Sequence, residues 1–337
     1  TKGPTCLVVV IKMKVVALFI LLISANNAFT AMRQCRSFPT SKHNNHHHIQ
    51  GKIWLKSSSD DNSDAAIIQE MMWRMTVFLG DMTDPSSNRF YYLCLPPSKE
   101  QLHKHMPIRD LAAAWDATKA LLFWEDQQEG QPQQQQHVIA GHSRFGDIVE
   151  VQQQLKFAVY TTLQVYNASY ITVGSGGAGL ALDPNILLES SNIAHSALMI
   201  LASTGALRLS LFRDQINGIS PPPIDDLVRG ILSMQRSDGA FQIEFGAADD
   251  DSNVYRGIEF YPGEAMVALM DVYDLSGKMP DIVTSETRQA IIPCMERAFD
   301  FYANYYSQGN VDTNYNVWQV QAFARLIRAR SISDEKA

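Results

Sequence analysis

The sequence predicts an all-α fold built from helical hairpins, and three observations carry that prediction. First, residues 223–330 repeat apolar side chains three and four apart in four successive segments, beginning at Pro223, Ile258, Arg288 and Asn314. That spacing is the period of an amphipathic helix. In the third segment Ile291, Ile292, Met295, Ala298, Phe299, Tyr302, Tyr305 and Tyr306 share one side. Second, turn-forming clusters separate the segments, Ser237-Asp238-Gly239 and Leu275-Ser276-Gly277 among them. Third, Ile108–Asp126 and Ser143–Ser169 carry the same helical period upstream.

The elements follow in chain order. Residues 1–59 form a targeting region without structure of its own, and residues 40–64 are polar and low in complexity. A short helix is expected around Ala65–Met75. Thr76–Leu79 and Arg89–Leu95 then read as two strands flanking a polar turn, a β-hairpin over about 76–95 that Pro96-Pro97 ends. The main domain is expected to span 65–330. The helix from Ile108 is followed by a glutamine-rich loop at 127–137 and by the long helix from Ser143. Tyr170–Pro184 is a Gly-rich connector. It lacks the Lys-Ser/Thr pair of a phosphate cradle, so no nucleotide cofactor is expected. Asn185–Thr204 is another helix, Leu207–Ile216 a short helical piece, and Ser220-PPP a forced turn before the helix at Asp225. Helices near Ile108, Ser190, Gly263 and Tyr315 each pair a small residue with a bulky one: Ala114-Trp115, Ala197-Leu198, Ala268-Leu269 and Ala322-Phe323. Their spacings are unequal, so this is similarity of topology.

A resemblance sharpens the fold. The run Leu232-SMQRSDGAF is similar to the helix-to-turn step of α/α-toroid proteins. Tyr261-PGEAMVALMDVYDLSG, an aromatic helix and the Tyr315–Trp318 helix start resemble a group of mostly uncharacterised proteins of the six-hairpin glycosidase-like toroid. The resemblance covers about residues 185–330. It implies an α/α toroid in which small residues let an inner ring of helices pack tightly. About seven or eight main helices are read here, where a full six-hairpin toroid has twelve, so an open or incomplete ring is expected. Gln235–Phe241 also resembles terpenoid cyclases, but neither their Asp-x-Asp-Asp acid nor an Asp-Asp-x-x-Asp metal motif is present.

Charge and cysteine content bound the function. Of the 28 Lys and Arg, eight lie in residues 1–59, which hold no acids. The remainder carries 20 basic against 35 acidic residues, a net charge of −15. A body that acidic argues against nucleic acid or an anionic membrane surface as partner. Met13 reads as a natural start, followed by Lys14 and the apolar run Val15–Ile23, a signal-peptide core too short to span a membrane. No stable span is expected once it is removed. Residues 29–59 have transit-peptide composition, and Asn27-Ala28-Phe29-Thr30 resembles the Ala/Phe junction of two-part plastid presequences in diatoms and related algae. The expected destination is a plastid reached by the secretory path, with plain secretion as the alternative. Cys35, Cys94 and Cys294 make no disulfide framework, and no CxxC or His-x-x-x-His pair suggests a metal. The His46–His48 cluster and Asp249–Asp251 lack well-spaced partner ligands.

The resemblance implies that the first turns of inner helices line a central pocket. Candidate acids are then Glu264, Asp238 and Asp110, and candidate substrate contacts are Tyr261, Trp318, Tyr315, His195 and Arg109. Glu264 stands out, because Pro262 marks a helix start and Gly263 removes bulk beside it. Each candidate has a plainer explanation. Acids in first turns answer the helix dipole, Asp-Gly is a common turn, aromatic stripes are core, and a histidine on an apolar face is hydrogen-bonded core. Two expectations follow. One is a carbohydrate-active, glycosidase-like protein using carboxylates around a toroid cavity, with a glycan or small molecule as ligand. The other is a non-catalytic binding or assembly scaffold on the same fold.

Overall fold

The computed structural model describes residues 61–84, 86–90, 92–94, 102–104, 106–129, 146–173, 178–180, 192–212, 222–245, 254–255, 257–258, 260–310 and 317–336. Residues 1–60, with the targeting region and the His46–His48 cluster, lie outside them, as do residues 130–137 of the expected glutamine-rich loop and Asp249–Asp251. Residues 127–129, expected in that loop, instead close the helix Pro107–Glu129. The chain divides into two compact units. Of the described residues the first holds only 61–74, and the second holds the rest.

The described residues form eight α-helices and three small antiparallel strand pairs. The helices are α1 (Asp61–Asp81), α2 (Pro107–Glu129), α3 (Gly146–Asn167), α4 (Ile193–Arg208), α5 (Ile224–Ser233), α6 (Tyr261–Ser276), α7 (Ser285–Ser307) and α8 (Val317–Lys336). The strands are β1 (Thr83–Asp84) with β2 (Arg89–Phe90), β3 (Tyr92–Cys94) with β4 (Leu102–Lys104), and β5 (Ile171–Val173) with β6 (Ala178–Leu180).

The expected strand at Thr76–Leu79 is instead the end of α1. The β-branched and aromatic residues of this stretch favour a strand, but Thr76 and Leu79, three apart, are both buried. Thr76 Oγ1 accepts a hydrogen bond from Trp124 Nε1 of α2 at 2.9 Å. Burial at helical spacing outweighs local propensity here. Gly80 fits the same packing, since a Cβ there would meet Val151 of α3 at 2.9 Å. A hairpin does exist further along, between β1 and β2, with Asp84 accepting from Ser86 and Ser87 in its turn. The expected second strand Arg89–Leu95 is divided, and its later part, Tyr92–Cys94, pairs instead with Leu102–Lys104 beyond Pro96-Pro97.

Four helices make the core row: α2 packs on α4, α4 on α6, and α6 on α8. Ala114, Ala197, Ala268 and Ala322, the small residues of the sequence repeat, fall one on each of these helices, and all are fully buried. Contacts along the row occur at matching depths. Thr118, midway along α2, meets Gly205 in the last turn of α4, where a Cβ would lie 2.1 Å from Thr118 Oγ1. At the same level Asp271 of α6 accepts from Thr204 and Arg208 of α4 and from Arg325 of α8. At their starts, Gly263 of α6 touches Trp318 and Gln319 of α8. The α6 and α8 helices therefore run the same way.

Three further helices, α3, α5 and α7, run back along the row. The α3 helix is antiparallel to α2, with Tyr166 bonded to Asp110 and Lys156 to Glu125. The α7 helix is antiparallel to both its neighbours. Arg288 reaches Ser276 of α6, and Phe299 meets Phe323 of α8 edge-on. The α5 and α7 helices run together, tied by Thr284 N–H to Asp225 and by Gln235 to the Cys294 carbonyl. The α4 helix is the centre: every residue from Ile193 to Ala206 is buried, as expected of a helix apolar all round. Its start is capped by Asn192, whose side chain accepts from Ala194 N–H at 2.9 Å.

Candidate functional site

The starts of the row helices carry the candidate site. Pro262 fits the first turn of α6, where a helix has no intrahelical use for the missing N–H. Gly263 follows because the start of α8 presses on it; a Cβ there would lie 2.5 Å from Trp318 Cβ. Gln319 is buried and donates to the Ile258 carbonyl at 3.2 Å, holding the preceding loop against α8.

Glu264 comes next. As a residue it is partly exposed, yet its Oε2 is shut off from solvent and has no hydrogen-bond partner among the described residues. Burial pushes its carboxyl up from the usual 4.5 to about 7, and the positive charge of Arg109 pulls part of the way back. Arg109 is an exposed residue in the first turn of α2. Arg109 is thus the charge that acts on the Glu264 carboxyl.

The aromatic groups lie beside this acid. Trp318, whose Cβ touches Gly263, stacks on Trp115 of α2 with ring centres 5.1 Å apart. Lys119 sets its ammonium 3.6 Å from the Trp115 ring centre. Tyr261, in the same turn as Glu264, lies against Gly257, whose positive φ of 75° and lack of a Cβ allow the approach. His195 is buried in the first turn of α4. Tyr315 lies outside the described residues.

The other two carboxylates are occupied by structure. Asp110 is 1% exposed, and its Oδ2 accepts from Tyr166 at 2.7 Å and from Arg89 at 3.0 Å. Burial, reinforced by Asp110, drives the Tyr166 hydroxyl far above its ordinary range, so it stays a proton donor. Asp238 caps its own turn. Its Oδ1 accepts from Ala240 N–H at 3.0 Å and its Oδ2 lies 3.3 Å from Arg236. Gly239 beside it, at φ 97°, packs against the Arg297 carbonyl of α7. Helix starts thus bring Arg109, Tyr261, Glu264 and Trp318 to one end of the row, while Asp110 and Asp238 serve the scaffold.

Sequence reasoning missed Gln319 and took Trp115 only as the bulky member of a packing pair. The repeat itself was the signal for Trp115, because it set Trp115 and Phe323 on row helices. Among the described residues no group of three His, Cys, Asp or Glu side chains is placed to hold a metal ion, and no helix is long and apolar enough to cross a membrane. Compared with protein-family models, curated proteins and solved structures, the chain matches none.

Proposed function

We propose that this chain is a binding or assembly protein of α/α-toroid type, whose ligand is a polyhydroxylated small molecule or glycan held at Glu264. The observation that carries the reading is the division among the three acids. Asp110 is engaged by Tyr166 and Arg89 and Asp238 by its own turn, whereas no hydrogen bond from a described residue reaches the desolvated Oε2 of Glu264. Leaving such an oxygen unpaired costs about 1–3 kcal/mol, and a hydroxyl ligand would recover it. The Trp115–Trp318 pair places aromatic rings of the kind on which a sugar ring stacks next to this acid. A toroid is supported by the order of the row, the antiparallel helices outside it, and this Trp pair, which joins the row's first helix to its last.

A second reading is favoured by one observation. A carboxyl raised to about 7 is poised as a general acid, which suits a glycosidase-like protein. Glycosidic hydrolysis needs a second carboxylate across the bond. One panel decides between the readings: oligosaccharides and aryl glycosides, followed by tryptophan fluorescence for binding and by product release for catalysis. Binding without release, lost in Glu264→Gln, is the expected result. Release that disappears in Glu264→Gln establishes the hydrolase. Neither binding nor release, or binding indifferent to Glu264→Gln, removes the ligand site from this end of the row. The plastid destination is likewise proposed, on the composition of residues 29–59.

A further inference from the structure

A cavity of about 220 Å³ lies at the other end of α6 from Glu264, lined by Tyr273, Arg288, Gln289, Ile292, Ala329 and Arg330. We propose that it binds a small organic oxyanion, a phosphate or carboxylate carried on a compact apolar body.

The cationic wall is built in advance. Arg288 donates from Nε to Ser276 Oγ at 2.9 Å, and its guanidinium carbon sits 4.4 Å from the Tyr273 ring centre. Hydrogen bond and ring fix the plane of the side chain. Its two terminal nitrogens have no hydrogen-bond partner among the described residues. A guanidinium fixed in this way presents the paired donors that match an oxyanion's geometry. Arg330 contributes a second cation from α8. It pairs with Glu296, but both side chains are exposed and such a pair contributes little, so an incoming anion competes with it readily. Gln289 turns its amide N–H to Ser285 Oγ at 3.0 Å. The charge presented to the cavity is therefore that of the two arginines.

The rest of the lining sets the organic part. Ile292 and Ala329 form an apolar wall beside the arginines, and the Tyr273 ring belongs to the same lining. The volume suits an anion bearing one small ring or short chain, below the size of typical drug-sized sites.

The test is calorimetric titration of the full chain with phenyl phosphate, with phenol as the neutral control. Phenyl phosphate should bind and phenol should not. Arg288→Gln should weaken binding at least about tenfold, the loss of a charge-assisted pair. Arg330→Ala, at an exposed position that leaves folding intact, should weaken it severalfold, and Glu264→Gln should leave it unchanged. If Arg288→Gln proves unfolded by circular dichroism, Arg330→Ala decides alone. No heat with phenyl phosphate at millimolar concentration overturns the proposal. So does equal binding by the wild type and both folded arginine variants, or binding of phenol as tight as that of its phosphate.

Discussion

Replacing Glu264 with glutamine should stabilise the protein at high pH and change little at low pH. The carboxyl rises from 4.5 to about 7 because burial disfavours its charge, and the Arg109 attraction is already included in that figure. At about 1.4 kcal/mol per pH unit, the ionised form is penalised by about 3 kcal/mol in the folded state. The sign follows from proton binding. The folded protein holds this proton more tightly than the unfolded chain does. The contribution of Glu264 to stability is therefore highest below about pH 4.5, declines as pH rises to about 7, and is flat above. Glutamine keeps the shape and does not titrate. Urea unfolding of both proteins at pH 5 and pH 8 isolates the difference, because other titrating groups are common to both. The variant should gain about 2–3 kcal/mol on the wild type between the two pH values. A gap that is the same at both pH values, or that closes at pH 8, would refute the account of Glu264 as a desolvated, unpartnered acid. A gain in stability together with lost ligand binding is the pattern expected where function retains a costly group.

Other outcomes follow from the same geometry. Arg109→Ala removes a positive charge that lowers the Glu264 carboxyl, so the inflection assigned to Glu264 should move to higher pH in a tryptophan-fluorescence titration. Asp271→Asn leaves Arg208 and Arg325 facing each other without their shared anion and should cost about 3 kcal/mol in urea unfolding at pH 7. Burial alone would raise the Asp271 carboxyl, but the two arginines and Thr204 hold it below the ordinary range. Its contribution is thus present above that range and lost as pH falls, and the cost of Asp271→Asn should shrink in acid. Gly205→Ala forces a methyl into Thr118 and should cost about 1–3 kcal/mol by the same assay. Residues 13–59 fused to a fluorescent protein should deliver it to the plastid of an alga; fluorescence in the medium would support secretion instead.

Much of the helical framework was legible because helical period is a local property. Ile291, Met295, Ala298 and Tyr302 recur three and four apart, and all four are buried along α7. The row helices were legible through Ala114, Ala197, Ala268 and Ala322, because close helix packing demands a small residue at the contact, and that demand is written into composition. The start of α6 was read from Pro262 and Gly263 for the same reason. Thr76–Leu79 was misread because four residues of strand propensity cannot outweigh a helix whose stability comes from burial against α2.

The acids were not separable by sequence. Asp110 and Glu264 both sit in first turns, where the helix dipole favours either, and Asp238 sits in an ordinary turn. What distinguishes them is contributed from afar: Arg89 and Tyr166 arrive at Asp110 from β2 and α3, while no described side chain hydrogen-bonds to Glu264 Oε2. The sequence by itself determined where helices form and which of their residues are small enough to pack. Only the tertiary structure decided which carboxylate loses its water without gaining a partner, because desolvation and pairing depend on neighbours brought together by the fold rather than by the chain.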